Sequence, residues 1–126
     1  RKQEYIMKFS ESLKKNHQFQ FVYKNGRSYA NKYLIMYVKE NGFSKNRIGI
    51  SVSKKVGNSV VRHRVTRLVR ESYRLHESIF NSGLDIVIIA RKSAASAGYE
   101  EVESALLHLG KLHQIIKVYF YFDERV

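Results

Sequence analysis

Between Lys45 and Arg74 the sequence holds nine basic side chains (Lys45, Arg47, Lys54, Lys55, Arg62, Arg64, Arg67, Arg70 and Arg74) and a single acidic one, Glu71. Nine minus one leaves +8 in that span, out of a formal net charge of +12 for the chain. The planar guanidinium of arginine meets a phosphate through paired hydrogen bonds and stacks on bases, so an arginine-rich run is chemistry for a polyanion. At roughly 100° per residue, His63, Arg67, Arg70 and Arg74 share one stripe of a helix, flanked by Arg62 and Arg64. Val61, Val65, Leu68, Ser72, Leu75 and Ile79 form the opposite, core-facing stripe. A merely solvated face alternates its signs to gain pairs four residues apart. This one stacks like charges, a repulsion that an anionic partner relieves. Just ahead, Lys54-Lys55-Val56-Gly57-Asn58 leads from a strand pattern into the helix start, where unpaired backbone N–H groups favour phosphate. That loop lacks the Gly-Lys-Ser/Thr ending of a P-loop, and by itself it reads equally well as an ordinary strand-to-helix connection.

Chemistry on phosphodiesters by the protein itself would need carboxylates that hold metal, or paired histidines. The acidic cluster Glu100, Glu101 and Glu103 falls in the first turns of a helical pattern, where it suits the helix dipole. His63, His76, His108 and His113 form no ligand pattern, and the last two are five apart, off the i,i+4 spacing. No catalytic residue and no metal ligand is therefore assigned. Aromatic residues offer binding chemistry instead. Rings beside cations hold single strands, with stacking of ~1–3 kcal/mol per base. Phe19 and Tyr23, four apart on a helical pattern, share a face; from the residues alone they fit a core position better than a binding one.

The elements that must position these groups follow from periodicity. Ser10 to Lys24 reads as a helix capped by Ser10 or Ser12, with Leu13 in the core and Asn25-Gly26 at its end. Arg27 to Lys39 is strand-rich, with Ser28–Ala30 followed by Tyr33–Val38. Alternation puts Tyr33, Ile35 and Tyr37 on one side and Leu34, Met36 and Val38 on the other. Asn41-Gly42 makes a turn. Arg47 to Ser53 alternates, with Ile48, Ile50 and Val52 facing one way and Arg47, Gly49, Ser51 and Ser53 the other. The basic helix starts at Asn58 or Ser59 and runs to about Phe80, ending at Asn81-Ser82-Gly83. Leu84 to Ala90 is a nearly continuous apolar strand, covered on both faces. Gly98 to Ile116 is a last amphipathic helix with Val102, Leu106, Leu109 and Leu112 inward. The order α-β-β-β-α-β-α predicts an α/β sandwich, of the α+β kind, with a small mixed sheet. One nucleic-acid-binding domain is expected over 1–126, with an ordered core at about 10–116. The tail from Lys117, with Tyr119, Phe120, Tyr121 and Phe122 in a row, receives no assignment.

With 126 residues, 44% of them hydrophobic, the chain is large enough to bury roughly two thirds of its unfolded surface. The absence of cysteine excludes disulfides and thiolate zinc sites and fits a reducing compartment. No apolar run approaches the ~20 residues of a spanning helix, Arg1 to Phe9 is too polar and mixed for a secretory leader, and no membrane partner is expected.

The contiguous run Ile48-Gly49-Ile50-Ser51-Val52-Ser53-Lys54-Lys55-Val56-Gly57-Asn58-Ser59-Val60-Val61-Arg62-His63-Arg64-Val65-Thr66-Arg67-Leu68-Val69-Arg70-Glu71 resembles the signature of the bacterial ribonuclease P protein family. Leu13-Lys14-Lys15-Asn16 with Phe19 resembles that family's first helix, and Ile86 to Lys92 its fourth strand. The resemblance covers roughly Leu13 to Leu112. It implies a ribosomal-protein-like fold with a left-handed β-α-β crossover through the basic helix, where the general rule would give a right-handed one. It implies a cytoplasmic subunit of a ribonucleoprotein endonuclease that removes the 5′ leader of precursor tRNA. The catalytic centre would lie on the ribonuclease P RNA, with magnesium required by the holoenzyme and no cofactor bound by the protein. By matching position, Lys54, Lys55, Asn58, Arg62, His63, Arg64, Arg67, Arg70 and Arg74 would face that RNA. Phe19, Tyr23, Ile35 and Tyr37, with Arg67 and Arg70 nearby, would line a cleft for the leader. No obligate protein partner is implied. His63 stands where the family usually has Asn, and Thr66 where it often has Lys. The competing readings are a non-enzymatic ribosomal-type RNA-binding protein and a DNA recognition helix. The second requires a compact helix-turn-helix, yet strand patterns flank this helix.

Overall fold

Leu84 to Ala90 carries one charged residue, Asp85, among six apolar ones, and the fold places this stretch at the centre of the sheet. A computed structural model describes residues 7–117; the aromatic tail 119–122 lies outside them. The strands are β1 (Ser10–Ser12), β2 (Arg27–Ala30), β3 (Leu34–Glu40), β4 (Asn46–Ser51) and β5 (Leu84–Ala90). The helices are α1 (Asn16–Asn25), α2 (Ser59–His76) and α3 (Tyr99–Leu112), with 3-10 turns at Glu77–Ile79 and Lys92–Ser96. The spatial strand order is β1-β4-β5-β3-β2. β4 runs parallel to both β1 and β5, while β3 is antiparallel to β5 and β2, so the sheet is mixed. The parallel pair β4–β5 is joined through α2. This is an α+β sandwich, with helices on both faces of one sheet.

Register sorts the two faces. Leu34, Met36 and Val38 pair with Ala90, Ile88 and Ile86, and Ile48 pairs with Ile86. Together with Val65, Val69 and Tyr73 of α2 and Val102, Leu106 and Leu109 of α3 they make the main core. Each fully buried aliphatic there contributes ~1.5–3 kcal/mol. On the other face Val87 packs with Leu13 and Val22, bordered by Phe19, Tyr23, Tyr37 and Ile89. Thus α1 covers one face, and α2 and α3 cover the other.

The sequence expectations need five corrections. Ser10 and Ser12 cap no helix; they lie in β1, an edge strand on β4, and the order gains a strand at its start. Helix α1 begins at Asn16, where the Gln18 carboxamide accepts the N–H groups of Lys14 and Lys15. The Asn41-Gly42 turn is present, with Gly42 at φ 76°, and the strands it connects are separated by β5, which pairs with both. Tyr33 precedes its strand and turns to the α3 side, donating to Glu101 at 3.0 Å. In α2 the inward stripe includes Val69 and Tyr73, both fully buried, whereas Leu75 is exposed. Helix α3 ends at Leu112, itself exposed, and His113 turns inward instead. Among the described residues, no helix is long and apolar enough to cross a membrane.

Candidate nucleic-acid interface

Two surfaces emerge, one on each side of the sheet. The first is α2 and the loop ahead of it. The Asn58 side chain accepts the Val61 N–H at 3.0 Å, an N-cap that fixes where the helix starts. Lys54, Lys55, His63, Arg64 and Arg67 are exposed, and Arg62, Arg70 and Arg74 are half-buried. The guanidinium groups are not equivalent. Arg64 donates to the carbonyls of Ala95 and Ala97, tying α2 to the turn before α3. Arg74 grips Glu71 through two hydrogen bonds, which hold the Glu71 carboxyl below its usual range. Thr66 turns its hydroxyl to the Arg62 carbonyl of its own helix, 2.9 Å away. Arg64, Arg67, Leu68, Glu71 and Tyr99 line a groove of about 340 Å³ between α2 and α3. Burial there, reinforced by the charges of Glu103 and Glu71, pushes the Tyr99 phenol up.

The second surface is aromatic and lies beside α1. Phe19 and Tyr23, one helical turn apart, have ring centroids 6.5 Å apart. Tyr23 meets Tyr37 of β3 edge-on at 5.1 Å, a geometry that ring quadrupoles favour. Gly49 lets Phe19 settle on the sheet, since a Cβ there would come within 2.6 Å of the ring and 3.2 Å of Leu13. Ile35 shares this face with Tyr37 by alternation, and its β5 partner Ile89 lies beside it. Partial burial raises the Tyr23 phenol, and a hydrogen bond with Ser51 opposes that shift. All four predicted cleft residues, Phe19, Tyr23, Ile35 and Tyr37, are half-buried rather than sealed in the core.

The structure therefore gathers the aromatic residues but not all the cations expected beside them. Arg67 opens onto the α2–α3 groove, and Arg70 rides on the same helix, across the sheet from α1. Along the chain, β4 leads from the aromatic face to the basic loop ahead of α2. Ser51 ends that strand on the α1 side, and Lys54 and Lys55 follow three and four residues later. Ser51, Ile89 and Gly49 belong to the site although they were not singled out; the alternation of β4 already placed Gly49 and Ser51 on one face.

The acidic cluster disperses. Glu101 accepts the Gly98 N–H at 2.8 Å and the Tyr33 hydroxyl, and Glu103 lies 3.2 Å from His76. Among the described residues, no three His, Asp or Glu side chains are grouped to hold a metal ion.

Comparison with known proteins converges on one family. The family model described as Ribonuclease P matches residues 7–113. The ribonuclease P protein component of Lachnoclostridium phytofermentans is 68% identical over 85% of this chain and 92% of its own length. That of Alkaliphilus metalliredigens is 54% identical over 87% and 99%. Among solved structures, the Staphylococcus aureus RNase P protein superposes with a TM-score of 0.78 at 36% identity, covering 84% of this chain and 97% of that one. The Thermotoga maritima protein gives 0.74 at 31% identity, covering 80% and 96%. A basic crossover helix, a ring cluster on the opposite face and a match over nearly the whole described chain agree, and the chain belongs to the ribonuclease P protein family, the protein component of a tRNA-processing ribonucleoprotein whose partner is the ribonuclease P RNA.

Proposed function

We propose that the chain binds two RNAs at once, one on each side of its sheet. The exposed Lys54, Lys55 and Arg67 and the half-buried Arg62 and Arg70, with Asn58 and His63 beside them, face the ribonuclease P RNA. The rings of Phe19, Tyr23 and Tyr37, with Ile35, hold the single-stranded 5′ leader of precursor tRNA. The observation that carries this reading is the Tyr23–Tyr37 contact at 5.1 Å on a half-buried sheet face, opposite the face that the basic helix covers. Stacking rings are what the bases of an unpaired strand require.

The catalytic consequence is differential binding. A precursor gains the leader contacts and mature tRNA does not, so substrate is held more tightly than product. The cations also offset phosphate repulsion between the two RNAs, which lowers the magnesium that the holoenzyme needs. The catalytic centre lies on the RNA, and the protein acts in the cytoplasm without a cofactor of its own. Arg64 and Arg74 serve the fold first, through the Ala95 and Ala97 carbonyls and through Glu71.

The test is cleavage and binding by holoenzyme reconstituted with this protein. Tyr23→Ala and Tyr37→Ala should each weaken precursor affinity by about fivefold or more, the equivalent of ~1–3 kcal/mol per lost stack, and leave mature tRNA affinity unchanged. Equal losses for both ligands would remove the leader cleft. At low magnesium, cleavage at the mature 5′ end should depend on the protein.

A further inference from the structure

We infer that Phe43, on the β3–β4 loop, is a second stacking platform for an unpaired base of the 5′ leader, outside the cleft formed by Phe19, Tyr23, Ile35 and Tyr37. Phe43 is 59% exposed, yet it is held in place. The Arg47 guanidinium lies 5.0 Å from the ring centroid. That guanidinium is itself fixed by two hydrogen bonds to Asp85, from Nε at 2.8 Å and Nη2 at 2.7 Å. Asp85 is only 3% exposed and also accepts from the Asn41 carboxamide at 2.9 Å. The same Asn41 side chain accepts the Phe43 N–H at 2.7 Å, closing the loop under the ring.

An ion pair with one partner buried and the other half-buried seldom adds much net stability over apolar packing, and an exposed ring gains little from being fixed. Together they produce one thing, a rigid aromatic surface with a cation on one side and solvent on the other. Asp85 neutralises Arg47, and Glu11 lies 3.9 Å from the Lys45 ammonium, so the site suits the flat face of a base rather than a phosphate.

Its position selects the leader. Arg47, Asp85 and Lys39 lie on the face that carries Gly49, Val87 and Tyr37, two residues along β4, β5 and β3 respectively. That is about 7 Å along each strand. The platform is at the end of β4 away from Ser51, Lys54 and Lys55. This assignment rests on the proposed function: if that basic loop faces the ribonuclease P RNA, the nucleotides next to it meet Tyr23 and Tyr37, and Phe43 meets nucleotides farther along the leader.

Reconstituted holoenzyme is titrated with precursor tRNAs whose leaders are shortened stepwise, and with mature tRNA. Phe43→Ala should weaken binding of long-leader precursor about tenfold, within the range of one lost base stack. Phe43→Tyr should restore it and Phe43→Leu should not. As the leader shortens, the Phe43→Ala effect should vanish while the Tyr37→Ala effect persists. An unchanged affinity, an equal loss for mature tRNA or weaker assembly with the RNA subunit would each overturn the assignment. The outcomes separate the two readings. If Tyr37→Ala shows no leader dependence while Phe43→Ala does, the cleft fails and the platform stands; the reverse pattern removes the platform alone.

Discussion

The hydroxyls of Ser10 and Tyr73 lie 2.8 Å apart, joining the edge strand β1 to the basic helix α2 within the core. Ser10 also donates to Glu77 at 2.9 Å, and the buried Glu77 carboxylate accepts the N–H groups of Lys8 and Phe9. Asn46 donates to the Tyr73 oxygen from the neighbouring strand. Glu77→Ala should therefore release β1 and leave several donors unsatisfied, a loss of roughly 2–3 kcal/mol. Tyr73→Phe should cost about 1–2 kcal/mol. Urea unfolding reads both as lower midpoints at unchanged slope. A Glu77→Ala midpoint equal to wild type would show that β1 is held by other contacts.

Gly49 gives a substitution that separates the two surfaces. A methyl group at this position meets the Phe19 ring at 2.6 Å, and Phe19 stands on α1. Gly49→Ala should shift α1, cost about 1–3 kcal/mol as overpacking, and selectively lower precursor affinity. Assembly with the RNA subunit through α2 should survive. If assembly and leader binding fall together, the two faces are not independent.

Salt dependence distinguishes arginines that meet RNA from those that hold the fold. Neutralising Lys54, Lys55 or Arg62 should flatten the slope of log affinity against log salt by roughly 0.7–0.9 per lost phosphate contact, with little change in stability. Arg64→Ala removes the bonds to the Ala95 and Ala97 carbonyls, so it should also lower the unfolding midpoint. An Arg64→Ala protein as stable as wild type would make those bonds incidental.

His113 predicts a pH dependence of stability. Burial lowers its pKa below 6.5, opposed by the hydrogen bond with the Met36 carbonyl, while the nearby charge of Arg27 lowers it further. The unfolded chain therefore takes up a proton at a pH where the folded chain does not. Stability from this residue is fully present above the unfolded value and declines as pH falls below it, towards the lower folded value. Denaturation midpoints for wild type and His113→Gln, compared on either side of pH ~6.5, should converge as the pH drops. Parallel curves would show that other groups set the acid response.

Much of this protein was legible from its residues. The like-charged stripe of α2, the Asn58 cap, the i,i+4 spacing of Phe19 and Tyr23 and the doubly covered β5 are local features, fixed by helix or strand period within a dozen residues. The tertiary structure decided what depends on a distant partner. Ser10–Ser12 is too short to show a period, and it becomes a strand only because β4 offers it an edge. Leu75 and Leu112 fit the inward stripe of their helices, but Tyr73 and His113 take the space that faces the sheet. The sheet order, which inserts β5 between β3 and β4, turns the Asn41-Gly42 loop into a support for Phe43. Arg67 falls on the far side of the sheet from Tyr23 and Tyr37 because helix periodicity sets which face of α2 is polar, whereas only the crossover from β4 to β5 sets which side of the sheet that helix covers.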